Sequence, residues 1–225
     1  MLQKKSNLDE IKRSDIMNSN KIKNIFSNYL PQIEGTYLKS SVMVLLFEKE
    51  DGFHVLFNKR SFKLKHQPGD ICFPGGRQEE NETPIETAYR EVYEELGINR
   101  SNIEIIGKSD TIVTTGRGVI TPFIGIVKNI NIEDVKYSTD EVENIFTVPL
   151  SFFFETQPDV YSMSFEPILP DNFPYHLIVN GENYKFVKTS VTHFFYKYKD
   201  YVIWGITAKI ISNIIDIIKK EKTVI

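Results

Sequence analysis

Three glutamates between residues 91 and 95 have a spacing that could serve chemistry. Glu91, Glu94 and Glu95 stand at i, i+3 and i+4, so in a helix their carboxylates share one face about one turn long. Like charges this close destabilise an isolated helix, but hard cations such as Mg²⁺ bind carboxylate oxygens and leave positions open for water and phosphates. The spacing favours a metal site for phosphate chemistry. The alternative is a solvated acidic face, which is the commoner reason for a run of glutamates.

The segment around these glutamates carries the signals of a well-delimited helix. Thr83 can act as the N-cap, Pro84 suits the first helical position, and Glu86 completes a Thr-x-x-Glu capping box. The helix is predicted to run to about Leu96, where Gly97 provides a left-handed cap. The face opposite the glutamates is apolar and can dock on a sheet through Ala88, Val92 and Leu96.

The rest of the chain mixes strands and helices without strict alternation, which is typical of the α+β class. Alternation and β-branched content predict strands at 41–47, 53–57, 103–106, 111–113, 119–127 and 145–150. Two hairpins are predicted, one joining 177–179 to 184–187 across Asn180-Gly181 and one joining 192–196 to 201–203. An isoleucine-rich helix is predicted from about Gly205 to Lys220, with enough apolar faces to be well buried.

Residues 8–30 have the spacing of one or two short amphipathic helices that end near Pro31. We therefore divide the chain into an N-terminal helical extension, 1–35, and one domain, 36–225. The extension and the later Phe/Tyr-rich region are candidates for a homodimer interface.

The net charge, the apolar runs and the cysteine count of the chain limit the classes of protein to which it can belong. The net charge of −3 argues against a nucleic-acid-binding surface, and no apolar run reaches the roughly 20 residues that span a membrane. The charged N-terminus lacks the apolar region of a secretory signal, and the single Cys72 excludes an internal disulfide. These features predict a cytoplasmic protein in which Cys72 is a small buried apolar residue.

Gly76 to Ile98 reads G-x₅-E-x₇-R-E-V-x-E-E-x-G-I, with Glu82 and Arg90 at the fixed acidic and basic positions. Seven exact and two aliphatic residues at these spacings have a chance agreement on the order of 10⁻⁹ per start position. The segment resembles the signature of the Nudix hydrolases. That resemblance implies an α/β/α sandwich around a mixed sheet and a pyrophosphohydrolase that uses Mg²⁺ or Mn²⁺.

Roles for individual residues follow from the same resemblance. The three glutamates of residues 91–95 would be catalytic metal ligands, joined by the carbonyl of Gly76. Arg90 and Glu82 would orient the loop and the helix, and their positions allow them to form an ion pair. The general base differs among family members, being a helix glutamate in some and a loop glutamate in others. Glu141 is the loop candidate here, with a solvated turn carboxylate as the alternative.

The element before this signature resembles one found in coenzyme A pyrophosphatases. It reads L-F-N-K-R-S-x₃-K-x₃-G-x₃-F-P-G-G from Leu56 to Gly76, where that subfamily has L-L-T-x-R-S-x₃-R-x₃-G-x₃-F-P-G-G. Lys65 in place of arginine keeps the charge but loses the bidentate fork. Coenzyme A carries a 3′-phosphate, so a selective site needs cations that a basic loop could supply. The predicted substrate-binding residues are Arg60, Ser61, Lys65, His66 and Gly69; a solvated loop is the alternative.

The leading hypothesis is a hydrolase that splits coenzyme A or a derivative into 4′-phosphopantetheine and adenosine 3′,5′-bisphosphate. The first alternative is a Nudix pyrophosphatase for another nucleoside diphosphate derivative, such as ADP-ribose. The second is a non-catalytic ligand sensor of the same fold, which the complete set of glutamates disfavours.

Overall fold

The computed structural model describes residues 19–30, 37–114 and 118–221, and the chain divides into two units between Thr36 and Tyr37. In the first unit one helix is described, α1, Ser19–Asn28. Residues 20–30 are all exposed. The helix α1 agrees with the prediction of one or two short helices in residues 8–30. Residues 8–18 of that prediction lie outside the described residues.

The second unit contains a large mixed sheet, a small antiparallel sheet and three helices among its described residues. Its strands are β1 Lys39–Lys49, β2 Gly52–Arg60, β3 Ile71–Cys72, β4 Gly75–Arg77, β5 Ile103–Lys108, β6 Ile112–Thr114, β7 Gly118–Val127, β8 Val142–Pro149, β9 Asp159–Phe165, β10 Thr189–Tyr198 and β11 Tyr201–Trp204. Its helices are α2 Pro84–Leu96, α3 Leu150–Glu155 and α4 Gly205–Glu221.

Strand β1 lies at the centre of the large sheet. The order is β3-β2-β1-β7-β5, with β4 also paired to β1, β6 to β7 and β8 to β2. The β1–β7 pair is parallel and the other pairs are antiparallel, so the sheet is mixed. Because β1 is covered on both faces, it reads as an unbroken apolar run instead of an alternating one.

Alternate residues of β1 face two separate cores. Met43 and Leu45 belong to a cluster with the apolar side of α2, formed by Ala88, Val92 and Leu96. Val44 and Leu46 belong to the cluster on the other face, which contains the buried isoleucines of α4. Helices on both faces of one sheet make the α/β/α sandwich that the sequence predicted. Across the described residues, no helix is long and apolar enough to cross a membrane.

Both ends of α2 are fixed by the residues that the sequence predicted. The Thr83 side chain accepts a hydrogen bond from the Glu86 amide, and the Glu86 carboxylate accepts from the Thr83 amide at 2.8 Å. Gly97 takes the left-handed conformation with φ 64°, and its N–H donates to the Tyr93 carbonyl at 2.9 Å. The helix that carries the three glutamates thus has fixed termini.

One of the two predicted hairpins is present and the other is wrong. Strands β10 and β11 pair with Tyr198 opposite Tyr201, as expected. Residues 177–187 form no hairpin; instead they make 3₁₀ turns at Tyr175–Leu177 and Gly181–Asn183. The Gly181 N–H donates to the Ile178 carbonyl, so the turn is centred one residue before Asn180-Gly181 and leads into a second turn, not a ladder.

The capping box yields a prediction about stability. Replacing Thr83 with alanine removes the side-chain acceptor at the N-terminus of α2, and we expect a loss of about 1 kcal/mol in the free energy of unfolding. Urea denaturation followed by circular dichroism measures it. Thr83→Ser keeps the hydroxyl and should lie within a few tenths of a kcal/mol of the native protein; equal losses in both variants would contradict the assignment.

Candidate active site

Arg90 connects acidic groups on the C-terminal half of α2 with one in the loop before the helix. Its Nε donates to Glu82 Oε1 at 2.7 Å and its Nη2 to Glu82 Oε2 at 3.2 Å, so the predicted Arg90–Glu82 pair is confirmed. Its Nη1 donates to Glu91 Oε1 at 2.8 Å and to Glu94 Oε2 at 2.9 Å. Nη2 also donates to the Arg77 carbonyl at 3.0 Å, which ties β4 to the helix. One guanidinium therefore orients three carboxylates and the preceding strand.

Glu82 is held in its charged form by this arrangement. Besides Arg90, its Oε2 accepts hydrogen bonds from the Thr87 hydroxyl at 2.8 Å and the Glu79 amide at 3.0 Å. The hydrogen bond from Arg90 and these further donors lower the pKa of Glu82 to about 2. Glu82 thus remains ionised at neutral and mildly acidic pH, as a positioning group needs.

Glu95 lies in a different environment, because it is almost completely buried. Its Oε2 accepts from Asn58 Nδ2 at 2.6 Å, and the amide of Gly75 donates to the same carboxylate. Burial, followed by the negative charges of Glu91 and Glu141, raises the pKa of Glu95 to about 8. Because burial and these charges destabilise the ionised form of Glu95, a nearby positive charge would stabilise it.

Asn58 is a site residue that the sequence analysis missed. Asn58 stands where the coenzyme A pyrophosphatase pattern has threonine, and the structure places it against Glu95. Asn58 is 1% exposed, and its Oδ1 has no hydrogen-bond partner in the described part of the chain. The sequence did contain a signal for this role, because Asn58 follows directly on the apolar run of β2. A polar side chain that is buried with such a run needs a hydrogen-bond partner.

Glu91 packs directly against the glycine turn that precedes α2. A Cβ added to Gly76 would overlap the Glu91 carboxylate, so a larger residue there would require that carboxylate to move. Burial raises the pKa of Glu91, while the hydrogen bond from Arg90 opposes the rise and the charges of Glu94 and Glu141 add to it. Gly76 and Glu91 are therefore neighbours, as the ligand prediction requires.

The turn that carries Glu141 is attached to the same site by backbone hydrogen bonds. The Ser138 N–H donates to the Glu95 carbonyl at 2.8 Å, which satisfies one of the free carbonyls at the end of α2. The Ser61 N–H donates to the Glu141 carbonyl at 2.9 Å. The exposed Glu141 side chain lies near enough to Glu91 and Glu95 to raise the pKa of both.

The basic loop, residues 60–70, adjoins these carboxylates, and its residues divide into two groups. Lys65 and His66 are exposed. Ser61 is fully buried, and its Oγ donates to the Thr139 carbonyl at 3.4 Å. Gly69 closes the loop in the left-handed region with φ 77°, and its N–H donates to the Arg60 carbonyl at 3.0 Å. Ser61 thus anchors the loop from beneath, and its contact with a substrate stays a prediction.

Arg60 extends under the basic loop toward the site. Its Nε and Nη2 each lie 3.3 Å from the His66 carbonyl, and its positive charge lowers the pKa of Glu95. It also donates a hydrogen bond to Cys72, although burial raises the pKa of that thiol to about 12. A thiol with this pKa stays protonated at neutral pH, which suits the apolar character predicted for Cys72, although its side chain is only partly buried.

The predicted metal ligands are close to one another but not yet arranged around an ion. Over the residues that the structure describes, no three His, Cys, Asp or Glu side chains form a group that could hold a metal. The Arg90 guanidinium stands between Glu91 and Glu94 instead. The donor set still fits a hard divalent cation, because buried carboxylates with raised pKa values and the unpartnered Asn58 Oδ1 all offer oxygen. The ligand roles of Gly76 and the three glutamates stay a prediction.

Comparisons with known proteins agree with this geometry. The NUDIX domain family matches residues 38–159. Nudix hydrolase 3 of Caenorhabditis elegans is 36% identical over 112 residues, covering 49% of this chain and 47% of that protein. Peroxisomal coenzyme A diphosphatase NUDT7 of Mus musculus is 35% identical over 124 residues, covering 55% and 51%. Nudix hydrolase 15, mitochondrial, of Arabidopsis thaliana is 31% identical over 178 residues, covering 77% and 56%. The chain thus spans about half the length of these relatives.

The Arg90–Glu82 pair yields a prediction about pH. Because the pKa of Glu82 is lowered in the folded protein, its stabilising contribution is complete above its ordinary value of 4.5 and is lost as the pH falls toward 2. The difference in melting temperature between the native protein and Glu82→Gln should therefore shrink between pH 6 and about 3.

Differential scanning calorimetry across this pH range checks the expectation. Glu80→Gln is the matched control, since Glu80 is an exposed glutamate in the same turn. The difference in melting temperature between Glu80→Gln and the native protein should change little with pH. A Glu82→Gln difference that is independent of pH would show that the pair does not hold the carboxylate ionised.

Proposed function

Because the chain belongs to the NUDIX domain family, we propose that it is a pyrophosphohydrolase that cleaves coenzyme A or a derivative of it. The products would be 4′-phosphopantetheine and adenosine 3′,5′-bisphosphate. The observation that carries the proposal is the attachment of a cationic loop to a buried carboxylate site. The Ser61–Glu141 hydrogen bond joins the two, and Lys63 Nζ forms an ion pair at 3.0 Å with Asp140, next to Glu141.

Members of this family generally use divalent metals such as Mg²⁺ or Mn²⁺, and the proposed holders here are Glu91, Glu94, Glu95 and the Gly76 carbonyl. When bound, such cations supply an acidified water and balance the charge of the pyrophosphate. Arg90 would release Glu91 and Glu94 in part while keeping its bidentate hold on Glu82. Glu141 is the proposed acceptor of the water's proton, because it faces the site from the adjacent turn and is exposed.

The choice of coenzyme A among family substrates rests on three supports. The basic loop offers the exposed ammonium of Lys65 and the exposed imidazole of His66 beside the carboxylates, where a phosphate outside the cleaved bond could bind. The pattern from Leu56 to Gly76 resembles coenzyme A pyrophosphatases. Two relatives carry names with that activity, the mouse protein and a C. elegans peroxisomal coenzyme A diphosphatase, which is 34% identical over 118 residues.

Product analysis with Mg²⁺ and a substrate panel tests the proposal. We expect coenzyme A to be hydrolysed with a higher kcat/KM than dephospho-coenzyme A and ADP-ribose. Lys65→Ala should lower kcat/KM for coenzyme A by roughly 10- to 100-fold, as for the loss of a charge-assisted hydrogen bond, and leave dephospho-coenzyme A nearly unaffected. Lys209→Ala, which changes an exposed lysine of α4, is the matched control.

Glu94→Gln separates an enzyme from a ligand sensor. Glu94 is half exposed, so the variant should keep its fold while kcat falls roughly 100-fold or more. ADP-ribose as the best substrate would favour the first alternative named above. Binding of coenzyme A with no products from the native protein would favour the sensor.

A further inference from the structure

The small sheet ends in an arm that is exposed along most of its length. Every residue of β9 is exposed, as are the first four residues of β10 that pair with it. The inner part of β10 is different: Phe194, Tyr196 and Tyr198 pack against the core cluster that includes α4. A two-stranded hairpin is marginally stable by itself in water. The arm therefore offers a surface that a partner could stabilise.

One face of this arm is apolar and aromatic. The register places Tyr161 opposite His193 and Met163 opposite Val191, so these side chains share one face of the sheet. Tyr161 packs edge-on against Phe195 at 5.5 Å between ring centroids, and Phe195 stacks on Trp204 at 5.6 Å. We call this the arm face; its exposed apolar members are Tyr161, Met163, Phe165, Val191, Val202 and Trp204. It is the face opposite to the one that packs on the core.

The edge of the arm is open as well. Strand β9 is the terminal strand of its sheet among the described residues, so one row of its backbone N–H and C=O groups is free to pair. Soluble proteins usually block such an edge with charged residues or proline. Residues 160–165 read V-Y-S-M-S-F and contain neither. The flanking acids are neutralised within the arm, Asp159 by Lys197 at 2.7 Å and Glu166 by Lys188 at 2.5 Å.

We propose that a second copy of this chain binds here, with the two β9 strands pairing antiparallel about a two-fold axis at Met163. In that register Met163 lies opposite Met163 of the partner subunit, and Tyr161 lies opposite Phe165 of the partner subunit. Ser162 then lies opposite Ser164 of the partner subunit on the other face. Apolar side chains thus meet apolar ones and serines meet serines, with no charge between residues 160 and 165.

The exposed side chains of β9 fit a second copy. Tyr161 is 62% exposed, Met163 51% and Phe165 46%, so each is free to form a cross-strand pair with its counterpart in the partner subunit. The pairing joins the two arms edge to edge into one continuous sheet, and it satisfies the open row of backbone groups on both β9 strands. The self-complementary register favours a copy of the same chain over an unrelated protein.

Mass in solution is the first test. Light scattering after size exclusion should give a dimer of the 26.1 kDa chain at micromolar concentration. Met163→Lys, which places two ammonium groups on the two-fold axis, should give a monomer with an unchanged circular dichroism spectrum. Val113→Lys changes an equally exposed apolar residue on β6 and should remain dimeric. A monomeric native protein, or a Met163→Lys variant that remains dimeric, would overturn the proposal.

Disulfide cross-linking tests the register. Met163→Cys should form a covalent dimer under mild oxidation, because the two cysteines would face each other across the axis. Val160→Cys is the matched control, since in this register the two copies of residue 160 lie roughly 20 Å apart and cannot bond. Cys72 is common to both variants. Cross-linking of Val160→Cys, or none for Met163→Cys in a sample that is dimeric, would contradict the β9–β9 pairing.

Discussion

The site depends on holding several negative charges close together at α2. The positive charge of Arg90 offsets the repulsion between them. Glu91 and Glu94 on the helix and Glu82 in the preceding loop repel one another, and Arg90 holds all three at hydrogen-bond distance. The capping box at Thr83 and the left-handed Gly97 fix the helix that carries them. Without this guanidinium, the buried charge of Glu91 would oppose the packing of α2 on the sheet.

Two kinds of carboxylate result from this arrangement. Glu82 has several donors, so its pKa is low and it serves as a fixed anchor. Glu95 is buried beside other negative charges, so its pKa is high although Asn58, the Gly75 amide and the charge of Arg60 stabilise its charged form. Through Arg90, Glu82 is linked to Glu91 and Glu94. The carboxylates of Glu91 and Glu95 can still bind a cation. This capacity is the physical basis for proposing phosphoanhydride hydrolysis at this turn.

The sequence predicted the parts of this site that depend on local chemistry. The capping box, the left-handed glycine, the apolar side of α2 and the Arg90–Glu82 pair each follow from residues within two turns of one another. The role of Asn58 could not be read in this way, because its partner lies 37 residues further along the chain. The same is true of Ser61, whose burial depends on the turn at Glu141. The hairpin predicted at 177–187 was wrong because the turn is centred one residue earlier and the flanking segments form 3₁₀ turns instead of strands.

The central claim is that the α2 carboxylates hold a divalent cation, and Mn²⁺ binding followed by electron paramagnetic resonance tests it without reference to any substrate. The native protein should remove free Mn²⁺ from solution, and Glu91→Gln should weaken this uptake by roughly tenfold or more while the fold is retained. A native protein that takes up no Mn²⁺, or a Glu91→Gln variant that binds it as tightly as the native protein, would contradict the account.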